Sequence, residues 1–419
     1  MAHAAQYNLD IQQMDVQTAF LNAPLDVPLY LEMIPGLPFD QTLVLRMDKS
    51  LYGLKQAPFL WNEVFTDALR DGGLQQTTMD PCLFKTDQGV LVIIWVDDTI
   101  IVGKREAVIP IKEHLSSTFK MTDLGSINHY LGMEVQRTPK GIQLLSTTYV
   151  ERLLDKFNMS MATPATTPLP PGLKLNKTMP GDDLADVKEY QQIVGSLMYL
   201  ACTTRPDIAV AVQQLSRHMI EPTTTHRTAA THVLRYLSYT KGDGLIYPGP
   251  DEPHKEGLQG YADADFAGDA DSRRSTGGAL LTYNGTAISW SSKLQQRVST
   301  STTEAEYQAL NACGRQVLYL RNLLQEVNIM DKDAPPTVIF EDNTAALLSV
   351  NSPQVTKATK HVEVDQHWLK QQLQEYNNLR VQQISSANQC ADILTKNLAA
   401  TTHRKLAALV MGRPTNHPP

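Results

Sequence analysis

The chain has 419 residues, of which 42% are hydrophobic and 19% charged, with a net charge of −7. This composition excludes a disordered or collagen-like chain and leaves room for roughly two to four domains with cores of their own. The acidic balance counts against strong non-specific nucleic-acid binding, which runs on phosphate neutralisation, but says little about any single face.

No apolar run reaches the length of a membrane-spanning helix, so no membrane partner is expected. The start, Met1 to Gln6, lacks a charged region followed by an apolar core and does not read as a signal peptide. Cys82, Cys202, Cys313 and Cys390 are scattered without a CxxC pair. That spacing argues against a zinc site or a disulfide framework and fits a reducing compartment.

Leu9, Ile11 and Met14 pattern a short apolar stretch that ends at Asp15. A carboxylate at a strand end can point into a site at the sheet edge; it can also cap the segment that follows. Further on, Gly53 and Lys55 precede a helical run from Trp61 to Leu69. A glycine there lets a nucleotide approach the backbone, and a plain loop would use the same residues. Leu91 to Val102 then reads as apolar strand, acidic turn, apolar strand, with Asp97 and Asp98 at the tip. Alone, this pair is a solvated hairpin turn. Its like charges repel unless a cation sits on them, and hard oxygen ligands suit Mg²⁺ or Mn²⁺.

Met14 to Asn22, Ser50 to Pro58 and Val96-Asp97-Asp98, in this order, resemble the reverse transcriptase of copia-type LTR retrotransposons. Asp123-Leu124-Gly125, Tyr130-Leu131-Gly132 and Glu134-Val135 extend the likeness over Leu9 to Asn158. The resemblance implies a polymerase palm in which Asp15, Asp97 and Asp98 bind two Mg²⁺ ions. It also implies an RNA template with a DNA primer and dNTPs as partners, with Gly53 and Lys55 against the incoming nucleotide. Two departures stand out. Trp95 replaces the family's tyrosine, and the basic fingers segment that family members carry upstream of the Asp15 motif is missing. The expectation is therefore impaired DNA synthesis.

Residues 104–158 turn helical and mixed, with Tyr149, Leu153, Leu154 and Phe157 forming a stripe that suits either core or a thumb-like helix. The segment 161–185 is rich in Pro, Thr and Gly and reads as a linker. Residues 186–250 read as a helical connection region with no chemistry of its own.

From Gly257 the pattern changes. Leu258 to Asp265 reads as a strand carrying Asp263, and two further strands flank the hairpin signal Asn284-Gly285. Ser301 to Thr303 offer N-caps for a long helix that carries Glu306 on its buried face. A buried carboxylate needs a partner, and a metal is one. Val338 to Phe340 form a strand ending at Asp342, Val381 to Ser385 form the last strand, and Asp392 lies early in a final helix. Three strands, helix, strand, helix, strand, helix is the order of an RNase H fold.

Tyr261 to Asp265, Ser301 to Tyr307, Glu341-Asp342-Asn343, Thr359-Lys360-His361 and Ala391 to Lys396 resemble the RNase H domain of the same elements. The resemblance implies two-metal hydrolysis of the RNA strand of RNA–DNA hybrids by Asp263, Glu306, Asp342 and Asp392, with Asp263 bridging both ions. Asp265, Asp269 and Asp271 read as loop acids, Glu304 as a helix-start acid, and His361 and His367 as structural. Arg273 and Arg274 suit phosphate contact or solvation.

The expected whole is an α/β and α+β multidomain chain. It comprises a partial palm and thumb-like part (1–160), a linker (161–185), a connection (186–250), an RNase H-like mixed five-stranded sheet with flanking helices (255–400) and a tail (401–419). Hybrid cleavage is the activity expected to be intact; the alternative is a non-catalytic nucleic-acid-binding relic of a transposon. Family analogy points to a cytoplasmic particle or the nucleus and to DNA integration, and leaves oligomeric state open.

Overall fold

A computed structural model describes residues 1–413 apart from 37, 41, 256 and 352–362, with the side chains of 363–367 also left aside. Thr359, Lys360, His361 and the side chain of His367 therefore lie outside the described residues. Two compact units emerge, one of Tyr7–Ile127 with Asn322–Asp331 and one of the remaining segments.

In the smaller unit, β1 (Asp10–Val16) buries Met14 and Val16 in the core, and a bulge between Gln13 and Met14 interrupts its alternation. The hairpin of β2 (Leu91–Trp95) and β3 (Asp98–Gly103) pairs with it, β3 lying against β1. β4 (Met121–Ser126) completes the other edge of an antiparallel six-stranded sheet whose far edge is formed by Gln75–Gln76 and Leu83–Lys85. Helix α1 (Ala57–Asp71) buries Trp61, Phe65 and Leu69, and α2 (Arg105–Thr118) buries Val108, Ile111 and Leu115. Trp61, Phe65 and Phe119 form a mutual ring cluster with centroids 5.1–5.4 Å apart. Such geometry adds to the burial of apolar area that holds helix on sheet.

The larger unit begins with a meander of β5 (Met133–Thr138) and β6 (Gly141–Leu145), and β6 pairs with β7 (Leu245–Pro248). Residues 128–160, grouped with the palm in the sequence expectation, therefore sit in this unit. The apolar stripe of α3 (Thr147–Lys156), Val150, Leu153 and Leu154, is core rather than an exposed thumb face. It packs with α4 (Val187–Thr203), α5 (Ala209–Ser216) and α6 (Thr224–Tyr239).

The proline-rich segment is also packed. Ala165, Leu169 and Leu175 are buried in the same core, Ala165 N donates to Arg235 O, and His232 Nε2 and His226 Nε2 donate to Thr167 O and Asn176 O. Prolines need no N–H partner, so an extended arm along a helix suits them. The three apolar anchors, rather than the prolines, decide that it stays down.

The five-stranded sheet has the order β10-β9-β8-β11-β12, made of β8 (Leu258–Asp265), β9 (Thr276–Tyr283), β10 (Thr286–Leu294), β11 (Thr337–Glu341) and β12 (Leu379–Gln383). The first three strands are antiparallel, and β11 and β12 run parallel to β8, giving the mixed sheet expected. Asn284 (φ 54°) and Gly285 (φ 86°) turn the β9–β10 hairpin with both residues left-handed, as a type I′ turn demands. Helix α7 (Thr302–Glu326) lays Leu310, Cys313 and Val317 on the sheet, and α8 (Thr344–Asn351) and α9 (Glu363–Gln374) follow β11.

Two expectations change here. Asp392 sits in a short 3-10 turn, Cys390–Leu394, rather than in a regular helix; Cys390, Ala391, Ile393 and Leu394 are buried there against the sheet. The C-terminal tail folds into α10 (Ala400–Val410), whose His403, Leu406 and Val410 are buried. Among the described residues, no helix is long and apolar enough to cross a membrane.

Candidate metal centre

Asp263 lies on the central strand β8, between β9 and β11, and is 1% exposed. Glu306 is on the second turn of α7, which starts where Ser301 Oγ accepts from Glu304 N at 3.2 Å. Glu304 turns back to accept from Thr300 N at 2.7 Å, a helix-start acid as expected. Asp342 follows the last residue of β11. Strand centre, helix start and strand end thus converge, and ligand oxygens of Asp263, Glu306 and Asp342 lie within 4.8 Å of one another. Among the described residues, no other group of three His, Cys, Asp or Glu side chains converges this way.

Asp392 joins from the 3-10 turn through a lysine. Lys396 Nζ donates to Asp392 Oδ1 at 2.8 Å and to Asp263 Oδ1 at 3.2 Å, and Thr395 Oγ1 donates to Asp263 Oδ2. Burial pulls the Lys396 ammonium down, but Asp263 and Asp392 outweigh it and hold its pKa above the ordinary lysine value.

The carboxylates are under strain of charge. Burial, reinforced by Glu341 and Asp263, pushes Glu306 up to about 10. Burial, then Asp263, pushes Asp392 up to about 6. Glu306 Oε2 is buried with no hydrogen-bond partner. A desolvated, unpaired carboxylate oxygen is costly. A divalent cation among these oxygens would satisfy that oxygen and favour the ionised forms. The donor set is all oxygen and fits a hard cation.

The second set of acids is more open. In the pairing of β1 with β3, Asp15 stands opposite Asp98, and Val16 N donates to Asp97 O at 3.1 Å. Burial and the charges of Asp97 and Asp98 raise the pKa of Asp15. Gln13 Nε2 donates to Asp98 Oδ1 at 3.2 Å. The hairpin tip is tight, because Trp95 pairs with Asp98 and only Val96 and Asp97 make the turn. Val96 has φ 58°, a left-handed position that such turns normally give to glycine, and Trp61 Nε1 holds its carbonyl at 2.6 Å. The three carboxylates do not reach the convergence seen at Asp263. Gly53 (φ 100°) and Lys55 are exposed on the loop before α1, beside Tyr52, whose phenol is raised by burial and by Asp97.

Residues 1–171 match the model of a family described as reverse transcriptase (RNA-dependent DNA polymerase). Over 302 residues the chain is 33% identical to a Ty5-1 transposon protein of Saccharomyces cerevisiae, covering 70% of this chain and 97% of that protein. The chain belongs to the retrotransposon Pol family. It is also 40% identical over 409 residues to the Pol polyprotein from transposon TNT 1-94 of Nicotiana tabacum, covering 94% of this chain and 30% of that protein. To the Pol polyprotein from transposon RE1 of Arabidopsis thaliana it is 36% identical over 406 residues, covering 96% of this chain and 27% of that protein. The chain thus spans under a third of either polyprotein.

Likeness to solved structures is shallow. An N-terminal RNase H domain from Mycobacterium tuberculosis shares 15% identity at a TM-score of 0.25, covering 34% of this chain and 91% of that chain. A prototype foamy virus protease–reverse transcriptase shares 12% identity at a TM-score of 0.24, covering 94% of this chain and 44% of that chain.

For this Pol chain, three residues at the Asp263 cluster escape sequence reasoning. Glu341 is fully buried at the end of β11; Asn343 N donates to its Oε1 at 3.0 Å, its Oε2 has no partner, and burial first of all raises it to about 8. The alternation Thr337, Ile339, Glu341 places it on the buried side of the strand, a signal that could have found it. Thr395 and Lys396 stand in a quoted motif, and the four-residue step from Asp392 to Lys396 is a recognisable pairing distance. Asp269, by contrast, is bound up structurally, with Arg217 Nη2 donating to it at 2.6 Å.

Proposed function

We propose that this Pol chain cleaves the RNA strand of RNA–DNA hybrids at the Asp263 cluster. The observation that carries the reading is the convergence of Asp263, Glu306 and Asp342 within 4.8 Å around a buried carboxylate oxygen that has no partner. Asp263, Glu306 and Asp342 would hold one Mg²⁺, and Asp263 with Asp392 a second, Mn²⁺ being an alternative. Bound divalent ions supply an acidified water and charge compensation at the leaving 3′-oxygen.

The protein's own groups do the rest. Thr395 Oγ1 donates to one oxygen of Asp263 and so helps to hold the orientation of that carboxylate, which would take part in holding either ion. Glu341, buried at the end of β11 with Asn343 N donating to its Oε1, flanks Asp342 in the chain and adds to the acidic character of the cluster. The hybrid would be read through its 2′-hydroxyls in the minor groove. The test is a hybrid carrying end-labelled RNA, incubated with the purified chain and Mg²⁺. Cleavage that disappears in Asp263→Asn supports the reading; an intact hybrid with folded protein, while a control ribonuclease cuts it, overturns it.

A second activity, RNA-directed DNA synthesis, is supported by Asp15 facing Asp98 across β1 and β3 and by the reverse-transcriptase match. Here an RNA template, a DNA primer and dNTPs are the proposed partners. Primer extension that is lost in Asp98→Asn would support it, and no extension in Mg²⁺ or Mn²⁺ would sink it.

A further inference from the structure

The acidic cluster already holds a cation of its own. Among the described residues, the ion pairs of Lys396 go to Asp263 and Asp392, at 3.2 and 2.8 Å. Its ammonium therefore occupies the space between the two carboxylates that the proposed function assigns to a second metal ion. The Asp342 side of the cluster is different, because there Glu306 Oε2 lacks any hydrogen-bond partner.

Two further features bear on whether the lysine can leave. Its side chain is 38% exposed, while that of Asp263 is 1% exposed, so the ammonium has a path to solvent that the carboxylate lacks. Asp263 keeps its orientation through Thr395 Oγ1 on the other oxygen, so it does not need the lysine for that. Lysine is also the side chain for such a task, a point charge on a flexible four-carbon stem.

We propose that Lys396 is a displaceable resident cation, a positioning residue that clamps Asp263 to Asp392 in the metal-free protein and has to swing out before a divalent ion enters between them. The inference rests on the reading of the cluster as a metal centre. The two ends of the cluster are consequently unequal. The first ion enters at Asp263, Glu306 and Asp342, and the second competes with the ammonium. Polyanionic substrate lowers that barrier, because a phosphate beside the cluster offers the released ammonium a new partner.

The experiment is a Mn²⁺ titration by calorimetry of the full chain without nucleic acid, in wild type, Lys396→Gln and Lys396→Arg. The wild type is expected to show one tighter and one weaker site. Lys396→Gln should tighten the weaker one by on the order of tenfold, since a unit charge a few ångströms away is removed, and Lys396→Arg, which keeps the charge, should not. A purely structural lysine would lower the melting temperature of Lys396→Gln and leave the ratio of the two constants alone, which would overturn the proposal.

A second measurement needs no substitution. The ¹⁵N–¹H signal of the Lys396 ammonium in wild type should hold through the first equivalent of Mg²⁺ and move with the second; a signal that ignores the second equivalent overturns the proposal as well. Absence of any Mn²⁺ binding in all three proteins would instead overturn the metal-centre reading itself, and the inference with it.

Discussion

Replacing Glu306 by Gln should make the metal-free protein more stable while removing the proposed hybrid cleavage. Glu306 is 7% exposed, and its carboxyl is pushed from the ordinary 4.5 up to about 10, first by burial and then by Glu341 and Asp263. A raised carboxyl contributes its full stability below the unfolded value and loses it as pH rises toward the folded value. The loss runs at ~1.4 kcal/mol per pH unit. At pH 7 the burden on the fold is thus about 3 kcal/mol. Glutamine has the same shape and no charge to desolvate.

Urea unfolding in EDTA at pH 6 and pH 8 measures the effect. Wild type should lose up to about 3 kcal/mol between the two from this group, and Glu306→Gln should be flatter by that amount. Adding Mg²⁺ should restore wild type at pH 8 far more than the variant. Parallel pH curves in EDTA, with Glu306→Gln no more stable at pH 8, would refute the picture of a carboxylate cluster held short of its cation.

Three further outcomes follow from other parts of the molecule. Asp207→Asn should cost about 3–5 kcal/mol in urea unfolding, because it leaves Arg205, at 0% exposure, without its bidentate partner. Burial alone would raise the Asp207 carboxyl, but Arg205 and Tyr236 outweigh it and hold it at about 2, so wild type should lose this stability as pH falls from about 4 toward 2, and Asp207→Asn should not. Gly278→Ala should cost about 1–3 kcal/mol and weaken Mn²⁺ binding in calorimetry, because the new Cβ would lie 2.7 Å from Thr395 Cγ2 and 3.1 Å from Ala391 O, pressing on the turn that carries Asp392.

The β8–β10 meander and α7 were legible because each carries a strong local signal: alternation, an Asn-Gly turn, a capped helix with a three–four repeat. Asp263 within β8, Glu306 near the start of α7 and Asp342 just past β11 belong to elements with such signals, so that these side chains come together follows from the element order. Lys396 and Glu341 were harder. A lysine four residues past an acid looks like any solvated pair, and only tertiary packing sets its ammonium against the buried Asp263 as well. The arm over 161–185 misled for a similar reason. Its prolines report local stiffness, whereas its placement depends on Leu169 and Leu175 finding a core built by helices further along the chain. Asp15, Asp97 and Asp98 were legible as a β-hairpin facing a strand, but their carboxylates are not drawn together by packing as the other set is.

The C-terminal helix α10 bears on how this chain can be taken apart. His403 on that helix donates to Asp207 O at 3.1 Å, at the heart of the buried Arg205 network, and Trp290 Nε1 on β10 donates to Ala201 O on α4 at 2.6 Å. Arg217, just past α5, holds Asp269 in the loop after β8. The five-stranded sheet and the helices before it therefore share polar contacts that neither can satisfy alone. A cut at residue 255 would strip the sheet of these partners and bare an apolar face. The five-stranded sheet is thus tied to the connection helices by hydrogen bonds from Trp290, His403 and Arg217, and a piece that begins at residue 255 is expected to unfold at lower urea than the full chain.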